Sequence, residues 1–322
     1  MNKSPTPAVK PRGVFSPVLT PFNADLTPSR ERFAKHCTWL LRQGVGLAVF
    51  GTNSEANSLS VSEKRGLLDA LLAADVPPAR LMPGTGACAL PDTIELTRHA
   101  VRAGCAGVLM LPPFYYKGVS DEGLFRSFAS VIDGVADSRL RIYLYHIPPV
   151  SQVPLSLKLI ERLLKAYPTA IAGVKDSSGD WTNTQAMLTE FQPEGFNVFA
   201  GSEAFLLATL RGGGAGCITA TGNVNPGPIV ELFKHWQDAD ADARQAALNA
   251  TRGAFQKLPM IAAMKAAIAW QSGDAGWATL RPPLVELDAA QKTQLTAELQ
   301  ALRYAMPDAA SLACTFPSPT VP

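Results

Sequence analysis

Ala170-Ile171-Ala172-Gly173-Val174-Lys175-Asp176-Ser177-Ser178-Gly179 is an apolar run closed by a single lysine and followed at once by small turn residues. A short apolar run bounded by turn formers reads as a buried strand, and Lys175 stands where it ends. An ammonium group held there loses hydration, which favours the neutral amine, and neutral amines attack carbonyls. A strand-end lysine can also reach water along its flexible stem, so this segment alone leaves both readings open.

Seven further stretches of the same kind occur at 13–19, 47–51, 81–84, 107–111, 141–145, 197–200 and 216–219. Between them lie segments with apolar residues at helical spacing: 33–42 ending at Gly44, 63–74 entered through the capping-box pattern Ser60-Val61-Ser62-Glu63, and 94–103 ending at Gly104. Strand and helix alternate eight times, which suits an α/β (β/α)8 TIM barrel better than its usual competitor, the doubly wound open sheet. After Pro226 the pattern turns wholly helical, at 229–238, 242–257, 260–270 and 289–304. The predicted organisation is a barrel carrying the catalytic site over 1–225, a C-terminal helical region over 226–304, and a loose tail over 305–322, rich in Pro, Ser, Thr and Ala.

The chain has 322 residues, 47% hydrophobic and 17% charged, enough to bury a large core. Its net charge of +2 is the difference between 29 basic and 27 acidic residues, with no long block of one sign, so no nucleic-acid partner is expected. No apolar run approaches the roughly 20 residues that span a bilayer, and residues 1–11 lack the hydrophobic centre of a signal peptide. No membrane partner is expected, and the predicted location is cytoplasmic. Five scattered cysteines (Cys37, Cys88, Cys105, Cys217, Cys314) and four dispersed histidines form no local ligand pattern, so neither a metal nor a cofactor is expected.

In a barrel, chemistry belongs at the carboxyl ends of the strands and in the loops after them. Lys175 ends the sixth stretch, Tyr145 ends the fifth in Tyr143-Leu144-Tyr145-His146-Ile147-Pro148, and the second runs into Gly51-Thr52-Asn53-Ser54-Glu55. A phenol beside an amine can shuttle protons during imine formation. The Gly51 to Glu55 turn offers N–H groups, a hydroxyl and an amide to a carboxylate, such as that of an α-keto acid. Each feature also has a plainer reading: a packed tyrosine, an ordinary polar turn, and, for Tyr115 and Tyr116, loop residues at a subunit contact. Asp176 and Glu55 read as turn carboxylates rather than as an acid/base pair. Gly84-Thr85-Gly86-Ala87-Cys88-Ala89 is a loose dinucleotide-type string inside a barrel pattern and carries no nicotinamide assignment.

Together these segments resemble the dihydrodipicolinate synthase and N-acetylneuraminate lyase family of pyruvate-handling barrel enzymes. The carrying motifs are Gly51-Thr52-Asn53-Ser54-Glu55, Pro112-Pro113-Phe114-Tyr115-Tyr116, Tyr145-His146-Ile147-Pro148 and Gly173-Val174-Lys175-Asp176-Ser177-Ser178-Gly179. The resemblance implies a class I lyase or aldolase that cleaves or forms a pyruvate-derived 2-keto acid, with or without a dehydration step. It implies that Lys175 forms the imine, that Tyr145 exchanges protons at that centre, and that Thr52 links Tyr145 to Tyr115 of a neighbouring subunit. The substrate carboxylate would rest on Thr52 and Asn53, Ile218 would contribute its backbone carbonyl, and the assembly would be a homotetramer, a dimer of dimers.

Two departures bear on substrate choice. In the synthases the Tyr-Asn-Val-Pro motif leads into an arginine that grips the carboxylate of aspartate semialdehyde, whereas here Val150 falls at that place and can make no charge-assisted contact. The alternative, condensation of pyruvate with an aldehyde of the 4-hydroxy-tetrahydrodipicolinate synthase type, is therefore disfavoured. Ser54 replaces the usual glycine of the turn, which makes the turn's conformation the point to check.

Overall fold

The computed structural model describes residues 10–314. Seven parallel strands form one sheet: β1 Gly13–Ser16, β2 Gly46–Leu47, β3 Val108–Met110, β4 Ile142–His146, β5 Ile171–Asp176, β6 Asn197–Ala200 and β7 Gly216–Ile218. Their order is β2-β1-β7-β6-β5-β4-β3. Residues 81–84 join the two free edges. Met82 and Gly84 donate their N–H groups to the carbonyls of Leu47 and Val49 (2.8 and 2.7 Å), while Leu109 donates to the carbonyl of Pro83 (2.9 Å). The barrel thus closes with eight strand positions, as the alternation predicts. The closing segment pairs only through isolated bridges, Leu47 with Leu81 and Gly84 with Leu109, and Pro83 has no N–H to give to a regular ladder.

Side chains of alternate strand positions fill the lumen. Phe15, Ala48, Met82, Leu109, Tyr143 and Phe199 form a cluster separate from the larger core between strands and helices. Phe15 and Tyr143 each meet Phe199 edge to face at 5.8 Å. These rings fit because glycines oppose them: a Cβ on Gly173 would come within 2.7 Å of the Tyr143 ring, and one on Gly46 would fall within the Phe15 ring's space. Gly173 therefore faces the lumen, and Lys175, two residues along the same strand, faces it too.

The helical segments form where the pattern puts them. Ser60 and Glu63 close the expected capping box at the start of the helix Val61–Ala73, with reciprocal hydrogen bonds of 3.1 and 2.8 Å. The helix Pro226–Lys234 packs on β1 and takes the eighth helix's place in the ring. The helices Ala241–Gln256, Met260–Ser272 and Ala289–Ala301 follow it. No helix among the described residues is long and apolar enough to cross a membrane.

The segment from 305 differs from the loose tail that its composition predicts, as far as it is described. Met306, Ala309 and Leu312 are buried. The indole N–H of Trp39 donates to the carbonyl of Pro307 (2.7 Å) and that of Trp277 to Leu312 (3.2 Å). Buried indoles need an acceptor, and this stretch supplies two. The rest of the predicted tail, 315–322, lies outside the described residues.

Candidate active site

Lys175 and Tyr145 are directly paired across β5 and β4, and both side chains are buried, Lys175 at 2% exposure. The amine nitrogen lies 4.2 Å from the centre of the Tyr145 ring. The Tyr145 hydroxyl and Thr52 Oγ1 are 3.2 Å apart, within reach of a hydrogen bond that either can donate. Three residues more than 120 positions apart at their extremes are thus brought to one end of the lumen. Among the described residues, Lys175 Nζ makes no hydrogen bond or ion pair.

The turn that supplies Thr52 is tightly braced. Ser54 is fully buried; its Oγ accepts the Gly51 N–H (3.0 Å) and its carbonyl accepts the Thr20 hydroxyl (2.7 Å). The left-handed backbone falls on Phe50 (φ 64°) and Glu55 (φ 55°), not on Ser54, so a serine there carries no conformational penalty. Ser54 also closes a short 3₁₀ turn, Thr52–Ser54, through its own N–H to the Gly51 carbonyl (3.0 Å). The N–H groups of Thr52 and Asn53 have no intramolecular acceptor among the described residues. They are the donors left for an anion.

Other predicted residues are placed less closely. Ile218 ends β7, fully buried and paired with Phe15 of β1. Tyr115 is 73% exposed and stands edge-on to Tyr116 at 5.3 Å. Within one chain no hydrogen bond joins Tyr115 to Thr52 among the described residues. Val150, at 60% exposure, sits in the short helix Pro148–Ser151.

The two turn carboxylates are committed elsewhere. Asp176 accepts from the Ser178 N–H (2.9 Å), Asn183 Nδ2 (3.0 Å) and the Thr184 hydroxyl (2.6 Å), bracing the loop after Lys175. Beside it, His146 Nδ1 accepts the Leu155 N–H (3.0 Å), so the ring's proton sits on Nε2. Burial pushes this imidazole below its usual value, with the Asp176 charge opposing. Glu55 forms a fully buried ion pair with Lys265.

Several residues of this end of the barrel escape a linear reading. Asn223 is fully buried; its Oδ1 accepts the Leu19 N–H (2.9 Å), and its Nδ2 donates to Pro17 (3.1 Å) and Ala220 (2.9 Å), tying the loop after β1 to the loop after β7. Glu203 is held by Arg252 (2.8 Å) and by the hydroxyls of Thr219 and Thr221, which fixes the loop beyond Ile218. Lys265 leaves a trace in the sequence as one lysine within the apolar helix Met-Ile-Ala-Ala-Met-Lys-Ala-Ala-Ile. Its partner, 210 positions earlier, leaves none.

A closed parallel barrel thus carries a buried lysine near a strand's carboxyl end, beside a tyrosine, where barrel enzymes place their chemistry. The chain belongs to the dihydrodipicolinate synthetase family, whose model matches residues 10–302. A protein of Chloroflexus aurantiacus named as an uncharacterized DapA-like lyase is 36% identical over 282 residues, 86% of this chain and 92% of its own length. The dihydrodipicolinate synthase of Agrobacterium tumefaciens superposes with a TM-score of 0.83 at 29% identity, over 90% of this chain and 99% of that one. YagE of Escherichia coli, a prophage protein of the dihydrodipicolinic acid synthase family solved in complex with pyruvate, superposes with a TM-score of 0.81 at 30% identity, over 91% and 99%. The chain is accordingly an enzyme of the lyase and aldolase kind.

Proposed function

We propose that the enzyme cleaves or forms a 2-keto acid built on pyruvate through an imine on Lys175. The amine nitrogen attacks the keto carbon and the carbonyl oxygen leaves as water after protonation. The resulting imine withdraws electrons, so the adjacent carbon can lose a proton or release a carbonyl fragment to leave an enamine. The observation that carries the reading is the unpartnered, buried amine of Lys175, with a tyrosine hydroxyl already engaged by Thr52 at the same end of the lumen. No internal bond need break before the nitrogen bonds carbon.

Tyr145 takes the proton-transfer role, with Thr52 as its link onward. Tyr115 would complete the relay from a neighbouring subunit, in keeping with its exposure and with the lack, among the described residues, of a hydrogen bond to Thr52 within one chain. The carboxylate rests on the free N–H groups of Thr52 and Asn53, and the Ile218 carbonyl faces the bound keto acid. The assembly is a homotetramer built as a dimer of dimers, and the working compartment is the cytoplasm. The pyruvate bound to YagE supports pyruvate as the common fragment. Condensation with aspartate semialdehyde is less supported: Val150 offers no cation, and the ammonium of the nearby Lys117 already donates to the carbonyls of Phe114 and Ser151.

Borohydride added with pyruvate tests the reading. The expected result is a reduced pyruvate adduct on Lys175 by mass spectrometry, absent from Lys175→Ala. An unmodified Lys175 overturns it. A panel of 2-keto acids assayed for released pyruvate then selects the substrate, and a light-scattering mass checks the tetramer.

A further inference from the structure

The turn that would hold the substrate carboxylate ends in Glu55, and that side chain is gripped by residues more than 200 positions later. Its carboxylate forms the ion pair with Lys265, both side chains at 0% exposure, and accepts the Arg281 N–H at 3.2 Å. Lys265 also donates to the Thr279 carbonyl (2.9 Å). The Arg281 guanidinium grips the flanks of the same region, donating to the carbonyls of Ser58 (2.5 Å) and Leu26 (2.6 Å) and to both oxygens of Glu63 (3.0 and 2.7 Å). The two cations lie over one ring, Phe22, at 4.6 and 4.7 Å. Glu55 itself has left-handed backbone, which a non-glycine residue keeps only where its surroundings hold it.

We propose that Glu55, Lys265 and Arg281 are positioning residues for the carboxylate turn: the C-terminal helices fix, through them, where Thr52 and Asn53 present their donors. A buried ion pair is often no more stabilising than two apolar side chains of similar volume, so its use lies in the geometry that it enforces. On one side Ser54 and Thr20 brace the turn, and on the other these three residues do. Between the two braces stay the Thr52 hydroxyl, at Tyr145, and the two unbonded N–H groups. The inference rests on the reading of that turn as the carboxylate site.

The test is the double variant Glu55→Gln/Lys265→Met, which removes both charges together and leaves neither stranded. Melting temperature and borohydride trapping at Lys175 are read side by side, with pyruvate and with its neutral methyl ester as ligands. The expected result is a melting temperature close to the parent's and a pyruvate concentration for half-maximal trapping raised tenfold or more, with methyl pyruvate little affected. A folded double variant that traps both ligands as the parent does overturns the proposal, as does an equal loss for both, which marks a general structural role. Should the double variant fail to fold, Arg281→Gln, which keeps the buried pair, decides: the same selective loss of pyruvate trapping supports the proposal and parent-like trapping overturns it. Absence of an adduct in the parent enzyme is a different outcome and removes the imine reading instead.

Discussion

Two lysines are fully buried among the described residues, and they are used in opposite ways. Lys265 sits in the helix Met260–Ser272 and commits its charge to Glu55 and a further donor to the Thr279 carbonyl. Lys175 sits near the end of β5 with the Tyr145 ring 4.2 Å from its nitrogen and, among the described residues, no hydrogen bond or ion pair. For Lys265, burial alone would push the ammonium toward the neutral form, and the Glu55 charge opposes this. The difference separates structure from chemistry: a paired lysine is a brace, and an unpaired one at the same depth is open to a bond with carbon.

Substituting each lysine by methionine is the sharpest way to break that contrast. Lys175→Met should abolish turnover and trapping while leaving the urea midpoint unchanged or raised, because no internal partner is stranded. A large loss of stability would show that Lys175 has a structural role. Tyr145→Phe should lower kcat by about 10²–10⁴-fold, the usual worth of a positioned proton-transfer group, with little change in pyruvate binding. Equal losses in both would mark a packing tyrosine, and Tyr115→Phe beside Tyr116→Phe shows which loop hydroxyl extends the relay. Lys265→Met should cost about 3–5 kcal/mol of stability in urea unfolding, since it leaves the Glu55 carboxylate buried without its ion-pair partner. A cost below ~1 kcal/mol would mean that water or a shifted Arg281 replaces the lysine.

A third buried base extends the series at smaller scale. His36 is fully buried, its Nε2 lies 3.0 Å from the Asn223 carbonyl, and burial pushes it down to about 4. Its folded value lies below the unfolded one, so the unfolded chain takes up the proton first as pH falls. The stabilisation is complete above the unfolded value of 6.5 and is lost progressively between 6.5 and about 4. By linkage the loss at pH 5 is on the order of 2 kcal/mol. Melting curves at pH 7 and 5 should show it in the parent and a smaller drop in His36→Gln. Equal drops would place the titrating group elsewhere.

Parts of the site that lie next to each other in the chain were legible, and parts joined across the chain were not. Lys175 is marked by an apolar run that stops at it, and the turn at Gly51 by its own composition. Glu55 looks like a turn carboxylate, and nothing near it points to Lys265 or Arg281. Asn223 is equally silent, because its side chain's bonds to Leu19 and Pro17 are fixed by barrel closure and not by spacing. Composition misled at 305–314, where small residues suggest freedom but two tryptophan N–H groups find their acceptors.

The sequence by itself determined the eight strand positions, the place of Lys175 at the close of its apolar run, and the small-residue turns at the strand ends. These follow from periodicity and local chain stiffness, which act over a few residues. Only the tertiary structure decided that, among the described residues, Lys175 has no ion-pair partner while Lys265 has one, and that Tyr145 meets Thr52. Which charges meet inside a barrel depends on how strands far apart in the chain are brought into register, and no local pattern records that.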